Sequence, residues 1–267
     1  MKVIILTGTE VRHVFFRKTI ANENRIEVIN SYCENNNNNL QNRVNNNKRS
    51  TSLEIQHVLS RSQSEIDFFE NINKCTVDKS NPIYLNKGEI NNERHVLDII
   101  KKNPDLLICY GSSIIKSRLL SIFKNKFINV HLGLSPYYRG TGTNVWPLIN
   151  NEPSMVGATF MHIDSGIDTG EIIHQIRADI FLGDSPHTIG NRLIKKMTRN
   201  YINLIVNFKR ITKLKQLNVN GKLYQNKDFD AMACRKLYDN FNNGMIEKYL
   251  EKNEFVNPIL SNPSLSL

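Results

Sequence analysis

The chain has 267 residues, 40% of them hydrophobic and 22% charged, the balance of an ordinary globular protein with one large domain or one domain plus a small appendage. Lys and Arg number 35 against 25 Asp and Glu, a formal +10 that favours anionic partners in general, yet no run of five or more basic residues marks a nucleic-acid arm. No apolar stretch approaches the roughly 18 residues of a membrane span, and Cys33, Cys75, Cys109 and Cys234 are scattered without a C-x-x-C pair, so neither a zinc site nor a disulfide frame is indicated and a reduced, cytoplasmic setting is expected.

The opening "MKVIILTGTE" has one lysine and a short apolar run, too short for a signal-peptide core, and reads as a buried strand. "EVRHVFFRKTIA" follows as an amphipathic helix and "RIEVINSYC" as a second strand, which makes a β-α-β unit. Residues 34–50, "ENNNNNLQNRVNNNKRS", are Asn-rich and nearly without apolar side chains, and are expected to be a flexible insertion. "LEIQHVLSRSQSEIDFFENI" has helical spacing; "ERHVLDIIKK", "LLICYG", "SRLLSIFKN" and "FINVH" then read as helix, strand, short helix and strand. After a loop, "GTNVWPLINNE" reads as a helix, with "MVGATFMHID" and "EIIHQIRADI" as strands around the tight turn "SGIDTG". A long amphipathic helix with a Ser-Pro start runs from Ser185 to about Leu214. Beyond it, "GKLYQN" reads as extended, and "DFDAMACRKLYDNF" and "GMIEKYLEKN" as short helices. Strands that enter as near-continuous apolar runs and alternate with helices indicate an α/β fold, an open, mostly parallel twisted sheet with helices on both faces. The division expected is a domain over 1–214 and a small C-terminal extension over 215–267.

In such a sheet ligands bind beyond the carboxyl ends of the strands. Gly8, Gly111 and His131 stand at such ends. In "INVHLGLSPYYRGTG" Asn129 and His131 occupy alternate strand positions, so their side chains share one face. Asp164 and Asp168 flank the glycine-bounded turn, and a carboxylate there within reach of His131 would fix the imidazole tautomer and favour the protonated ring. His13, His57 and His95 lie on expected helices and read as surface residues; His162 and His174 flank the Asp turn. Ser135 lacks the second glycine of a nucleophile elbow, and "TGTE" is not the glycine pattern of a nicotinamide site.

The combination of N-x-H, P-x-Y-R-G, a Trp in the next helix, V-G-A-T and D-x-G-I-D-T-G resembles the formyltransferases that use 10-formyltetrahydrofolate. That family includes enzymes acting on glycinamide ribonucleotide, methionyl-tRNA and amino sugars. The resemblance is specific over about residues 104–178 and extends over about 1–210. It implies a Rossmann-like formyltransferase fold and a catalytic set that falls on Asn129, His131 and Asp168, with no metal and no covalent nucleophile. It places the folate beside "CYGSSIIKS", at Gly111, Ser112, Ser113, Ile114 and Ile115, with Asp164 on the facing turn. Formyl transfer to an amine passes through an oxyanion, which Asn129 would meet with an N–H while His131, oriented by Asp168, would stabilise the charge and take part in proton transfers.

The acceptor is less directly written. Many family members carry S-L-L-P where this chain has Leu132-Gly133-Leu134-Ser135-Pro136. The remainder after residue 214 is short for the β-barrel that methionyl-tRNA formyltransferases carry, and longer than the glycinamide ribonucleotide enzymes usually have. With "YYRGTGTNVWPL" the chain looks most like sugar N-formyltransferases of surface-polysaccharide synthesis, so the acceptor implied is an amine on a nucleotide-linked sugar. Tyr137, Tyr138, Arg139 and Trp146 are the candidate acceptor contacts, Arg for a diphosphate and the aromatics for stacking. The alternatives are a methionyl-tRNA or glycinamide ribonucleotide formyltransferase, a formyltetrahydrofolate hydrolase, and a basic nucleic-acid-binding protein that has lost catalysis. Partners expected are a folate and an amino-bearing small molecule, with no membrane insertion, no nucleic acid, and a homodimer left open.

Overall fold

A computed structural model describes residues 1–37, 39–217, 219, 221–252 and 257–265. In chain order the elements are β1 (Lys2–Gly8), α1 (Val11–Ala21), β2 (Glu27–Asn35), α2 (Leu40–Asn46), α3 (Ser52–Cys75), β3 (Pro82–Asn86), α4 (Glu93–Lys102), β4 (Leu106–Tyr110), α5 (Ser117–Ile122), β5 (Phe127–His131), β6 (Tyr138–Gly140), α6 (Trp146–Ile149), β7 (Gly157–His162), β8 (Ile172–Arg177), α7 (Pro186–Asn207), β9 (Lys222–Tyr224), α8 (Ala231–Asn242) and α9 (Met245–Lys252).

Seven strands form one sheet in the order β3-β2-β1-β4-β5-β7-β8. The first five run parallel, and β7 and β8 add antiparallel at one edge. The chain runs outward from β1 to β2 and β3, then crosses back to β4 and continues the other way. That reversal opens a crevice at the carboxyl ends of β1 and β4, where open α/β sheets bind ligands.

Strand periodicity sorts the core into two layers. Val3 and Ile5 of β1 face Phe16 and Ile20 of α1, Phe69 of α3, and Leu193, Met197 and Leu204 of α7. Ile4 and Leu6, their alternates, face Val96 and Ile99 of α4 and Leu119 of α5. A sheet covered on both faces needs apolar residues at every strand position, which is why β1 and β4 read as unbroken runs. Helix starts are locally encoded: Thr51 and Glu54 cap α3 reciprocally, and Ser185 with Thr188 does the same for α7.

Three differences from the sequence reading have physical causes. The Asn-rich stretch 34–50, expected as a flexible insertion, begins inside β2 and carries α2; its Asn38 lies outside the described residues. Asn39 caps that helix by accepting from Asn42 N, Val44 is buried, and the Ser62 hydroxyl of α3 donates to Gln41. One buried valine plus polar anchors replaces the apolar face that the composition lacks. The edge strand β3 was not anticipated, because one side of an edge strand stays wet and Tyr84 is exposed. The long helix ends at Asn207 rather than near Leu214. After it, Leu214 exchanges backbone hydrogen bonds with Ile172, β9 pairs with β6, and Leu237, Met245 and Ile246 join the core as α8 packs on α3 and α6.

Candidate active site

β5 carries Asn129 and His131 at its carboxyl end on one face, as their spacing requires. Asn129 stands in register with Cys109 of β4 and Met161 of β7. His131 is buried, and its Nδ1 lies 3.3 Å from Asp168 Oδ2. Its Nε2 lies 2.9 Å from the Tyr138 carbonyl and 3.2 Å from Thr143 Oγ1. A carbonyl and a carboxylate only accept, so a ring with N–H on both nitrogens meets both at once, whereas a neutral ring meets one.

Asp168 is delivered by the turn between β7 and β8. It adopts φ +53°, a left-handed conformation that Asp tolerates better than most residues. Gly140 N donates to its Oδ2 at 2.9 Å. Gln216 donates from Nε2 to the carbonyls of Asp168 and Gly170 at 3.0 and 2.8 Å, so the segment after α7 clamps the turn. Asp164 accepts from Gly166 N and from the Thr169 hydroxyl, and therefore shapes the same turn.

Two clefts meet at Asn129, which lines both. The larger, about 420 Å³, runs over the ends of β1 and β4 to His131 and Trp146. The smaller, about 160 Å³, lies between the segment after β4 and the turn, with Ser112, Ile114, Ile115, Asp164 and Asp168 in its wall. Among the described residues no group of three or more His, Cys, Asp or Glu is placed to hold a metal ion, and no helix is long and apolar enough to cross a membrane.

The residues singled out in the sequence separate accordingly. Asn129, His131 and Asp168 come together. Ser112 and Ser113 line both clefts, Ile114, Ile115 and Asp164 the small one, and Gly111 the large one. Trp146 lines the large cleft, stacked on Tyr224 with ring centroids 4.3 Å apart. Tyr137, Tyr138 and Arg139 line neither cleft. Tyr138 is buried, stacks on Tyr224 at 5.7 Å and donates its hydroxyl to Glu152, while the Tyr137 hydroxyl reaches toward the Pro258 carbonyl. These two tyrosines fasten the C-terminal segment instead of facing a ligand, a long-range pairing that a local motif does not reveal.

His13 and His57, read as surface residues, are buried and line the large cleft; His95 is half-buried and lies outside both clefts. Burial, with Arg12 and Arg61 nearby, pushes His13 well below the ordinary imidazole range. Burial lowers His57 to about 3, with His187 and Arg61 adding repulsion, and lowers His187 to about 4. Arg12 donates from Nη1 to both Glu65 oxygens at 2.7 and 2.8 Å and also pairs with Glu10. The strand-end rule that picked out His131 applies equally to His13, one helical turn past β1. The salt-bridged wall depends on α3 crossing back onto α1, which spacing alone does not encode.

A family model described as "Formyl transferase" matches residues 1–205. The methionyl-tRNA formyltransferase of Finegoldia magna is 34% identical over 120 residues, 41% of this chain and 38% of that protein. The GDP-perosamine N-formyltransferase of Brucella melitensis is 34% identical over 95 residues, 35% of this chain and 36% of that protein. The matched stretches thus span under two fifths of these curated relatives. A solved structure of the N-formyltransferase from Helicobacter canadensis, in complex with folinic acid and dTDP-3-aminofucose, superimposes with a TM-score of 0.54 at 19% identity, covering 89% of this chain and 79% of that one. At that identity the likeness speaks for the fold.

Proposed function

The chain belongs to the formyl transferase family, whose model it matches over most of its length, and we propose that it moves a formyl group from 10-formyltetrahydrofolate to the primary amine of a nucleotide-linked amino sugar. One observation carries the transfer: Asn129 lines both clefts beside an imidazole held 3.3 Å from a carboxylate. The folate takes the small cleft and the acceptor the large one, so the one-carbon unit changes partners at their junction.

The amine nitrogen attacks the formyl carbon, and the carbonyl electron pair moves to oxygen. Asn129 donates an amide N–H to that oxyanion, a contribution worth about 3–4 kcal/mol of barrier where such a donor has been removed. The tetrahedral carbon then regains its double bond as the bond to folate N10 breaks. The proton lost by the amine and the proton gained by N10 balance. His131 takes part in these proton transfers, and Asp168 fixes the ring's orientation.

An amino sugar is favoured by the large cleft, whose volume of about 420 Å³ suits a small molecule and whose wall includes Trp146, Arg43 and Lys87. The Brucella relative and the ligands of the Helicobacter structure support the same class. Methionyl-tRNA is the second reading, favoured by the Finegoldia relative and the +10 charge. The test is to incubate the protein with 10-formyltetrahydrofolate and, in parallel, amino-sugar nucleotides, glycinamide ribonucleotide and methionyl-tRNA, and to follow the formyl mass gain. The expected result is a gain on an amino-sugar nucleotide. A gain on methionyl-tRNA alone, or release of formate with no amine present, overturns the acceptor.

A further inference from the structure

Among the described residues ten buried side-chain polar atoms lack a hydrogen-bond partner, and five of them belong to residues of the large cleft: His13 Nδ1, Arg43 Nε, Tyr110 OH, Ser113 Oγ and His187 Nε2. Buried polar atoms are ordinarily paired, and an unpaired one is destabilising. All five belong to residues that line one cleft, where a ligand's polar groups can complete them.

Two of the five sit at the crevice where the sheet order reverses. His13 is on the first turn of α1 and Tyr110 ends β4. The imidazole lies between Gly8 and Gly111, where a Cβ on either would overlap the ring. Both glycines therefore make room for this side chain. Tyr110 meets it edge-on, with ring centroids 4.9 Å apart. His13 is 5% exposed and Tyr110 4%. The nearest carboxylate oxygen, Glu10 Oε2, is 3.7 Å from His13 Nδ1, beyond hydrogen-bond reach.

The charges around this pair cancel. Arg12 is shared between Glu10 and Glu65, and Arg61 Nε lies 3.3 Å from Glu65, so two guanidinium groups face two carboxylates. Burial keeps the imidazole uncharged at neutral pH. An uncharged imidazole beside a phenol, in a wall without net charge, offers donors and an acceptor but no pull on an anion. That is the chemistry of a hydroxyl partner and not of a phosphate.

We propose that His13 and Tyr110 form a hydroxyl-reading subsite, hydrogen-bonding the uncharged sugar part of the acceptor and setting which amino sugar is accepted. The inference rests on the amino-sugar reading above and adds where the sugar ring lies and what selects it. The diphosphate is left to other residues of the cleft.

Isothermal titration tests this with GDP-perosamine, dTDP-3-aminofucose, and GDP and dTDP alone, on the wild type, Tyr110→Phe and His13→Asn. Tyr110→Phe removes only an oxygen and keeps the packed ring. His13→Asn keeps a hydrogen-bonding group of shorter reach, and unchanged 5-formyltetrahydrofolate binding shows that each variant is folded. The expected result is about fivefold or more weaker binding of the amino-sugar nucleotide, with the nucleoside diphosphate unchanged. In turnover the acceptor KM rises while kcat stays within about twofold. Equal weakening of sugar nucleotide and bare diphosphate, or no weakening in either variant, overturns the subsite. Wild-type binding of neither amino sugar removes the subsite together with the acceptor class. Binding without formyl transfer removes the proposed activity and leaves the subsite standing.

Discussion

The two clefts that share Asn129 are built by different means. The small one has a wall of backbone turns: the segment after β4, and the β7–β8 turn held by Asp164, Thr169 and Gln216. The large one is walled by long side chains from five helices and from the C-terminal segment, among them Arg12, Arg43, Arg61, Trp146, His187 and Phe229. A backbone wall is stiff and tolerates little variation in its guest. A side-chain wall changes with each substitution, so the proposed function assigns acceptor choice to the large cleft and a common one-carbon donor to the small one.

Mutations at the junction and on either side can break this division. His131→Ala is expected to have the largest effect, a loss of roughly a thousandfold or more in kcat with the fold intact; near-normal turnover by the purified variant would falsify the assignment. Asn129→Ala should lower kcat by about a hundredfold or more, and because the residue borders both clefts, saturating either substrate should not restore it. Asp164→Ala loosens the turn without touching the large cleft, so the folate KM should rise about tenfold or more while the acceptor KM holds. A parallel rise in both constants would show that the clefts are not separable.

The smallest expected effect is on stability. His57 and His187 titrate near 3 and 4 in the folded chain and near 6.5 when unfolded. Below about pH 6.5 the unfolded chain therefore binds more protons, and stability falls as pH drops toward 4, with the full contribution present above 6.5. Melting temperature followed from pH 7 to pH 4 should decline, and a His57→Gln/His187→Gln variant should decline less steeply. An identical slope in the variant would show that these imidazoles do not set the acid limit.

The alternation of apolar strands and amphipathic helices, the caps at Thr51 and Ser185, and the pairing of Asn129 with His131 on one strand face were all decided by the sequence itself, because each is an interaction over two to four residues or a repeat of fixed period. The approach of Asp168 to His131 followed from motif likeness more than from spacing. What only the tertiary structure decided are contacts between segments far apart in the chain: Gln216 under the β7–β8 turn, Tyr138 stacked on Tyr224, α3 laid across α1 with its charges cancelled, and His13 between two strand ends. No local pattern carries these, since each depends on where distant backbone comes to rest once the core is packed.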